Sequence, residues 1–370
     1  YFGQTGTRMA GLRNLPSSRV SLLLFSVGGT GYVKLPLRSL LISTALVAAS
    51  IAPAQERAYL EPGTRVLMDA HNCYPYNGKF ADRIERAIAT GTPLAIEQDL
   101  YWYTDKATGK SWPVVSHDQP ADGSGPVLRQ HFFERIRPIV EKAMRDGSRA
   151  NWPLVTLNLE FKTKEREHLT AIWNLLGEYE DWLCTAERSS DPDRVMPLGL
   201  KPVLVLTGDG DEEAAAFHDQ VLPGARLRVF GAVHVVKDAG PDTPPAKMVP
   251  QRATNYRRWW NNPWKVIERG GQVKAGVWTA EDEARLSSMV AYAHRQGFWI
   301  RFYTLNGYPD TPAGSGGWSA SYNFGSLEQA VERWDASFRA GVDFIATDQY
   351  GECSAVLASQ RLRAAQRNAH

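Results

Sequence analysis

The sequence predicts an α/β protein folded as a closed (β/α)8 barrel, and three observations predict it. Eight short runs of aliphatic, β-branched or aromatic residues recur after Gln55, mostly apolar at successive positions, as in strands buried on both faces. Longer amphipathic stretches separate them, and strands alternating with helices build a parallel sheet covered by those helices. No GxGxxG follows the first run, which removes the main support for an open dinucleotide-binding sheet, and a count of eight favours closure.

The first run is 65–70. A helix over 79–90 follows, with Phe80, Ile84 and Ile88 at helical spacing and Gly91 as its stop. The second run covers 93–100 and the third 154–161, with a helix over 131–145 between them. A helix over 164–179 leads to the fourth run at 202–208, and one over 211–221 to the fifth at 226–233. The interval to the sixth, expected at 273–278, is long and irregular, with Pro241, Pro244 and Pro245 in a loop. Helices over 280–296, 326–340 and 352–367 alternate with the seventh run at 298–305 and the eighth at 342–348. Without a linker or compositional break after Gln55, residues 55–370 read as one domain.

The formal charge of +2 is misleading, because residues 1–54 hold Arg8, Arg13, Arg19, Lys34 and Arg38 and no acid. The remainder carries 37 basic against 40 acidic residues, which gives no footprint for nucleic acid. Lys34 and Arg38 precede an apolar stretch from Leu40 to Ile51, and Ala52-Pro53-Ala54 matches a small-x-small cleavage site. The apolar stretch is too short for a good membrane span. Residues 33–54 are therefore expected to be a signal peptide, with translation starting at Val33 and residues 1–32 a non-native upstream extension. The mature protein is expected to be secreted or periplasmic. Cys73, Cys184 and Cys353 allow at most one disulfide and match no zinc motif. Cys73 is read as a structural residue rather than a nucleophile.

The reactive groups of such a barrel sit at the C-terminal ends of strands and in the loops that follow. The first run ends in His71-Asn72. The second ends in Glu97-Gln98-Asp99, where alternation sends Glu97 and Asp99 to one side, and the loop after it holds Ser116-His117-Asp118. The third ends in Glu160-Phe161-Lys162, again a same-side pair. Carboxylates on buried strands are costly unless something offsets their charge, and an oxygen-liganded divalent cation would. Glu, Asp and Asn are hard ligands, so Ca²⁺ or Mg²⁺ is expected rather than zinc. His71 and His117 would flank it as an acid–base pair, since an imidazole titrates near ~6.5. Lys162 with the cation suits charge growing on phosphoryl oxygens. Each residue alone has an ordinary reading, a strand-end histidine as a structural group and Ser-His-Asp as a helix cap. Their joint occurrence in strand order points to a site.

The order His71-Asn72, Glu97-x-Asp99, His117-Asp118, Glu160-x-Lys162 resembles the superfamily of glycerophosphodiester phosphodiesterases and phosphoinositide-specific phospholipases C. The segments 297–307 and 341–350 look like the seventh and last strands of the glycerophosphodiesterases, so the resemblance covers roughly 65–350. It implies a TIM-type barrel and a phosphoric diester hydrolase with one Ca²⁺ or Mg²⁺ held by Glu97, Asp99 and Glu160. His71 and His117 would be acid and base, and a substrate hydroxyl would attack phosphorus to give a cyclic phosphodiester that water opens. It also implies a phosphodiester small molecule or phospholipid as partner. The sequence departs from the glycerophosphodiesterases where they carry His-Arg-Gly, with Asn72 and Cys73 in the last two places. His-Asn is instead similar to the calcium-dependent phospholipases C, whose Asn is a metal ligand. Asn72 is thus either a ligand, the expectation adopted here, or a polar stand-in for the arginine.

Two aromatic clusters bear on substrate. Tyr101, Trp102 and Tyr103 directly follow the second run and are candidates to wall a pocket. The segment 255–264, NYRRWWNNPW, either offers a cation–π or membrane-interface surface, giving peripheral membrane contact, or packs a helix against the barrel. Two alternative functions stand beside the hydrolase: a sphingomyelinase-D-like lyase that stops at the cyclic phosphate, and a non-catalytic lipid- or glycan-binding barrel.

Overall fold

The computed structural model describes residues 60–368 apart from 77–78, 121, 148, 270–275 and 310–322. The expected signal peptide and upstream extension lie outside the described residues.

Eleven strands are described: β1 (Leu67–Ala70), β2 (Leu94–Thr104), β3 (Ser111–Val115), β4 (Val155–Phe161), β5 (Ala186–Glu187), β6 (Val203–Thr207), β7 (Arg226–Leu227), β8 (Phe230–Ala232), β9 (Arg257–Pro263), β10 (Trp299–Tyr303) and β11 (Phe344–Thr347). Eight of them run parallel in the order β1-β2-β4-β6-β8-β9-β10-β11, and β11 pairs back onto β1 to close the barrel. β3 folds back antiparallel on the outer half of β2, and β5 pairs with β7 in a separate ribbon.

The helices are α1 (Arg83–Ala89), α2 (Glu134–Asp146), α3 (Arg166–Glu178), α4 (Asp211–Ala214), α5 (Pro245–Met248), α6 (Ala280–Gln296), α7 (Leu327–Ala340) and α8 (Tyr350–Asn368). The long ones are well delimited. Thr279 and Asp282 form a reciprocal cap at the start of α6, which ends on Gly297 with left-handed φ. Ser326 caps α7, which ends on Gly341 in the same way. α1 starts later than its apolar spacing suggests, because Phe80 has φ of 64° and cannot lie in a right-handed helix. Among the described residues no helix is long and apolar enough to cross a membrane.

Two runs differ from expectation, and the fifth, 226–233, divides into β7 in the separate ribbon and β8 in the barrel. The sixth barrel strand is β9, not 273–278, of which 276–278 belong to no strand and 273–275 lie outside the described residues. Its RRWWNNP sequence hides the period because polar and aromatic residues fall on both faces. Trp259 joins the apolar cluster inside the barrel with Leu67, Ala95, Trp299 and Phe344, whereas Trp260 joins the core around it and meets Tyr292 of α6. Trp259, Trp260 and Trp264 are all fully buried, so segment 255–264 supplies neither a cation–π surface nor a membrane anchor. Cys73, Cys184 and Cys353 are buried free thiols, and burial pushes the Cys73 thiol pKa up, away from nucleophilic use.

Candidate active site

The barrel interior changes character along its axis. On β1 the inward residues are Leu67, then Asp69, then His71 just past the strand, and on β2 they are Ala95, Glu97 and Asp99. Apolar packing fills the N-terminal end, and charge collects at the C-terminal rim. Asp99 lies beside Glu160 in register, since β2 and β4 pair Glu97 with Asn158 and Asp99 with Glu160.

Carboxylate oxygens of Glu97, Asp99 and Glu160 lie within 4.8 Å of one another. Glu97 and Asp99 are buried, and Glu160 is exposed. Burial, then the negative charges of Glu160 and Glu97, raise the pKa of Asp99 well above the carboxylate range. Glu97 behaves oppositely. Burial would raise it, but His71, Arg301 and the Asn72 N–H together hold it at about 2. Lys162 Nζ lies 3.0 Å from Asp99 Oδ2 and also pairs with Glu160. Even so, Asp99 Oδ1 is buried without a hydrogen-bond partner. A crowded set of hard oxygens with one orphaned atom fits a divalent cation, which would keep Asp99 ionised.

His71 is buried beside this cluster. Its Nδ1 lies 2.9 Å from Asp348 Oδ1, and its Nε2 3.6 Å from Glu97 Oε2. Burial lowers its pKa, but Glu97 and Asp348 outweigh that and raise it overall. Asn72 has φ of 53°, a left-handed conformation that asparagine tolerates better than most residues. That turn aims its backbone N–H at Glu97 Oε2 (2.8 Å) and its Nδ2 at Asp348 Oδ1 (3.1 Å). Its Oδ1 accepts from the Tyr74 hydroxyl (2.9 Å), which also donates to Asp99 Oδ2 (2.6 Å), so Asn72 and Asp99 share one anchor.

His117 stands on the loop after β3 and is half-exposed. Its Nδ1 meets Asp118 Oδ1 at 2.7 Å, and Asp118 accepts from the Tyr76 hydroxyl at 2.8 Å, which ties this loop to the one after β1. The Ser116 N–H donates to the Asp99 carbonyl (3.0 Å), fixing the loop against the carboxylate strand. The aromatic run divides by face. Tyr101 and Tyr103 share the face of Asp99 on β2, and Tyr103 meets Trp112 edge-on; Trp102 points to the other face and stacks on His168 of α3, away from the carboxylates.

Sequence reasoning missed five residues that hold this site. Arg301, inside the barrel on β10, donates from Nε to Asp69 and reaches Glu97 Oε1 (3.0 Å) and Asn261 Oδ1 (3.1 Å). Arg83 donates to the Asn72 carbonyl at 2.7 Å and lies 3.8 Å from Asp348. Asp69, Asp348 and Tyr74 complete the set. The signal was present: Arg301 interrupts an apolar run, and Asp69 stands two residues before His71, hence on the same side of its strand.

No family model matches the chain, and no curated protein matches it. Among solved structures, it is similar to a glycerophosphoryl diester phosphodiesterase from Parabacteroides distasonis, at 16% identity and TM-score 0.38 over 80% of this chain and 87% of that one. It is also similar to a calcium-dependent phosphoinositol-specific phospholipase C from a Pseudomonas species, at 13% identity and TM-score 0.43, over 81% and 93%. A third likeness, to a Plasmodium falciparum HPPK-DHPS, has 10% identity and TM-score 0.42 and covers 81% of this chain and 49% of that one. Likeness at this level carries no argument about activity.

Proposed function

We propose that the protein is a secreted or periplasmic phosphodiesterase that uses one Ca²⁺ or Mg²⁺ to cleave a glycerophosphodiester or phospholipid head group through a cyclic phosphate. The observation that carries this reading is the convergence at one rim of an imidazole held by Asp348, three carboxylates and the Lys162 ammonium. Glu97, Asp99 and Glu160 would hold the cation, with Asn72 as a fourth ligand beside them. When bound, the cation supplies positive charge for the phosphoryl oxygens.

The residues divide the proton work. Glu97 and Asp348 beside His71 favour its charged form against the opposing effect of burial, and this suits the role of acid. His117, oriented through Nδ1 by Asp118, acts as the base. His117 takes the proton of a substrate hydroxyl, and that oxygen bonds to phosphorus. The bond from phosphorus to the leaving oxygen breaks, and His71 supplies its proton. Water then opens the cyclic diester with roles reversed: His71 takes a proton from water, and His117 returns one to the oxygen that leaves phosphorus. Lys162 stands by the phosphoryl oxygens, and Tyr101 and Tyr103 wall the approach.

Burial of Trp259, Trp260 and Trp264 leaves segment 255–264 without exposed tryptophan for a binding surface. An activity screen over glycerophosphodiesters, phosphatidylinositol and lysophospholipids, with and without chelator, tests the proposal. Turnover that the chelator abolishes is expected. No turnover of any of them by metal-supplemented protein would contradict it. Secretion is tested by N-terminal sequencing of exported protein, which is expected to begin at Gln55 or a neighbour; an intact Tyr1 would contradict it.

A further inference from the structure

We propose that Asn306 is a positioning residue: its side-chain oxygen fixes Asp348, and through Asp348 it sets the direction of the His71 imidazole. The proposal rests on the phosphodiesterase reading and adds to it a fully buried residue from the loop after β10.

Residues 304–307 leave β10 under three local costs. Thr304 is buried with φ of 71°, a left-handed conformation that a β-branched residue rarely adopts. Asn306 is fully buried, and its Nδ2 has no hydrogen-bond partner among the described residues. Gly307 has no room for a side chain, since a Cβ there would lie 2.3 Å from the Ser326 carbonyl oxygen. Backbone strain and unpaired buried groups persist where the surrounding structure imposes them, and they gather at functional sites.

In return the segment is laced onto the end of β11. Asn306 Oδ1 accepts from the Thr347 hydroxyl (2.8 Å) and from the Asp348 N–H (2.7 Å). The Gly307 N–H donates back to Gln349 Oε1 (2.6 Å), and the Leu305 N–H donates to the Ala346 carbonyl (3.2 Å). Asp348 is the residue so held, and its Oδ1 lies 2.9 Å from His71 Nδ1. A side chain that only filled this space would not leave a buried amide nitrogen unpaired, so the Oδ1 contacts account for the asparagine. With its backbone fixed in this way, Asp348 presents its carboxylate to His71 from one direction.

Asn306→Ala removes the acceptor; Asn306→Ser, whose oxygen sits one bond closer to the backbone, serves if the alanine variant does not fold. Trp334→Phe is the control. It removes the bond from Trp334 Nε1 to the Leu305 carbonyl (3.0 Å) and loosens the same segment without touching Asp348. With glycerophosphoinositol and added metal, the Asn306 variant is expected to lose about ten- to a hundredfold in kcat with little change in KM, the scale of a reacting group displaced by about 1 Å. Trp334→Phe is expected to melt at a lower temperature yet keep kcat close to the wild-type value. Crystal structures of the variants read the contact itself, and replacing Asn306 is expected to part His71 Nδ1 and Asp348 Oδ1 beyond hydrogen-bonding distance. Unchanged kcat, a loss confined to KM, or an equal kcat loss in Trp334→Phe would overturn the proposal. So would a His71–Asp348 contact that the Asn306 variant leaves intact. Turnover by no form of the protein would sink the phosphodiesterase reading instead, and the crystallographic contact then decides the role of Asn306 by itself.

Discussion

His71 is defined by its neighbours more than by its position at a strand end. Replacing it with alanine is expected to lower kcat by about 10²–10⁴-fold, the range of a lost general acid, with circular dichroism unchanged. Asp348→Asn keeps the shape but weakens the hold on Nδ1, and is expected to lower kcat by about tenfold or more with little change in KM. An equal effect on both constants would argue against a positioning role. Glu97→Gln and Asp99→Asn should instead raise the metal concentration needed for half-maximal activity and shrink the thermal shift that metal gives. His71, Asn72, Glu97, Asp99, His117, Glu160 and Lys162 could be grouped from the sequence because polar residues recur at or near the ends of successive apolar runs. Arg301 and Asp348 were passed over although each puts a charge in an apolar run, because their partners Glu97 and His71 lie more than 200 residues away and only three-dimensional contacts join them.

The barrel strands were legible where apolar residues follow one another, as in β4 and β6, because parallel strands buried on both faces need little polarity. β9 escaped because it carries two arginines and two asparagines, and its tryptophans read as a surface cluster or as helix packing rather than as a strand. Trp259→Ala should therefore cost about 3–5 kcal/mol in denaturant unfolding, as expected for an emptied core site rather than a surface change. The loop and helix between β3 and β4 and the start of α3 add a pH-sensitive pair. Burial lowers the pKa of His131 and of His168 to about 4. Both stay neutral in the folded protein where the unfolded chain, with a value near 6.5, binds a proton. Their stability contribution is thus complete above about pH 6.5 and declines as pH falls toward about 4, by at most about 3 kcal/mol for each. Unfolding free energies at pH 7, 6 and 5 check this. A profile that His131→Gln and His168→Gln leave unaltered would contradict it.

Taken as one object, the molecule is a barrel whose apolar end supports a charged mouth, and the candidate site residues come from three consecutive strand–loop units. That distribution explains why the site could be read from the chain in order, while its supports, contributed by β10, β11 and α1, could not. Under the proposed function, a cation held by Glu97, Asp99 and Glu160 would tie β2 to β4 and so couple metal binding to the stability of the barrel. Chelation is expected to lower the melting temperature, and restoring Ca²⁺ or Mg²⁺ to raise it again. The central claim is that this mouth cleaves phosphodiesters through a cyclic phosphate with His71 and His117 as the proton pair. Phosphorus NMR of glycerophosphoinositol incubated with metal-supplemented protein tests it most directly. The account predicts a transient cyclic phosphate signal that decays to the monoester, absent with chelator and absent in His71→Ala and His117→Ala. Monoester appearing without any cyclic species, or at an unchanged rate in either alanine variant, would contradict it.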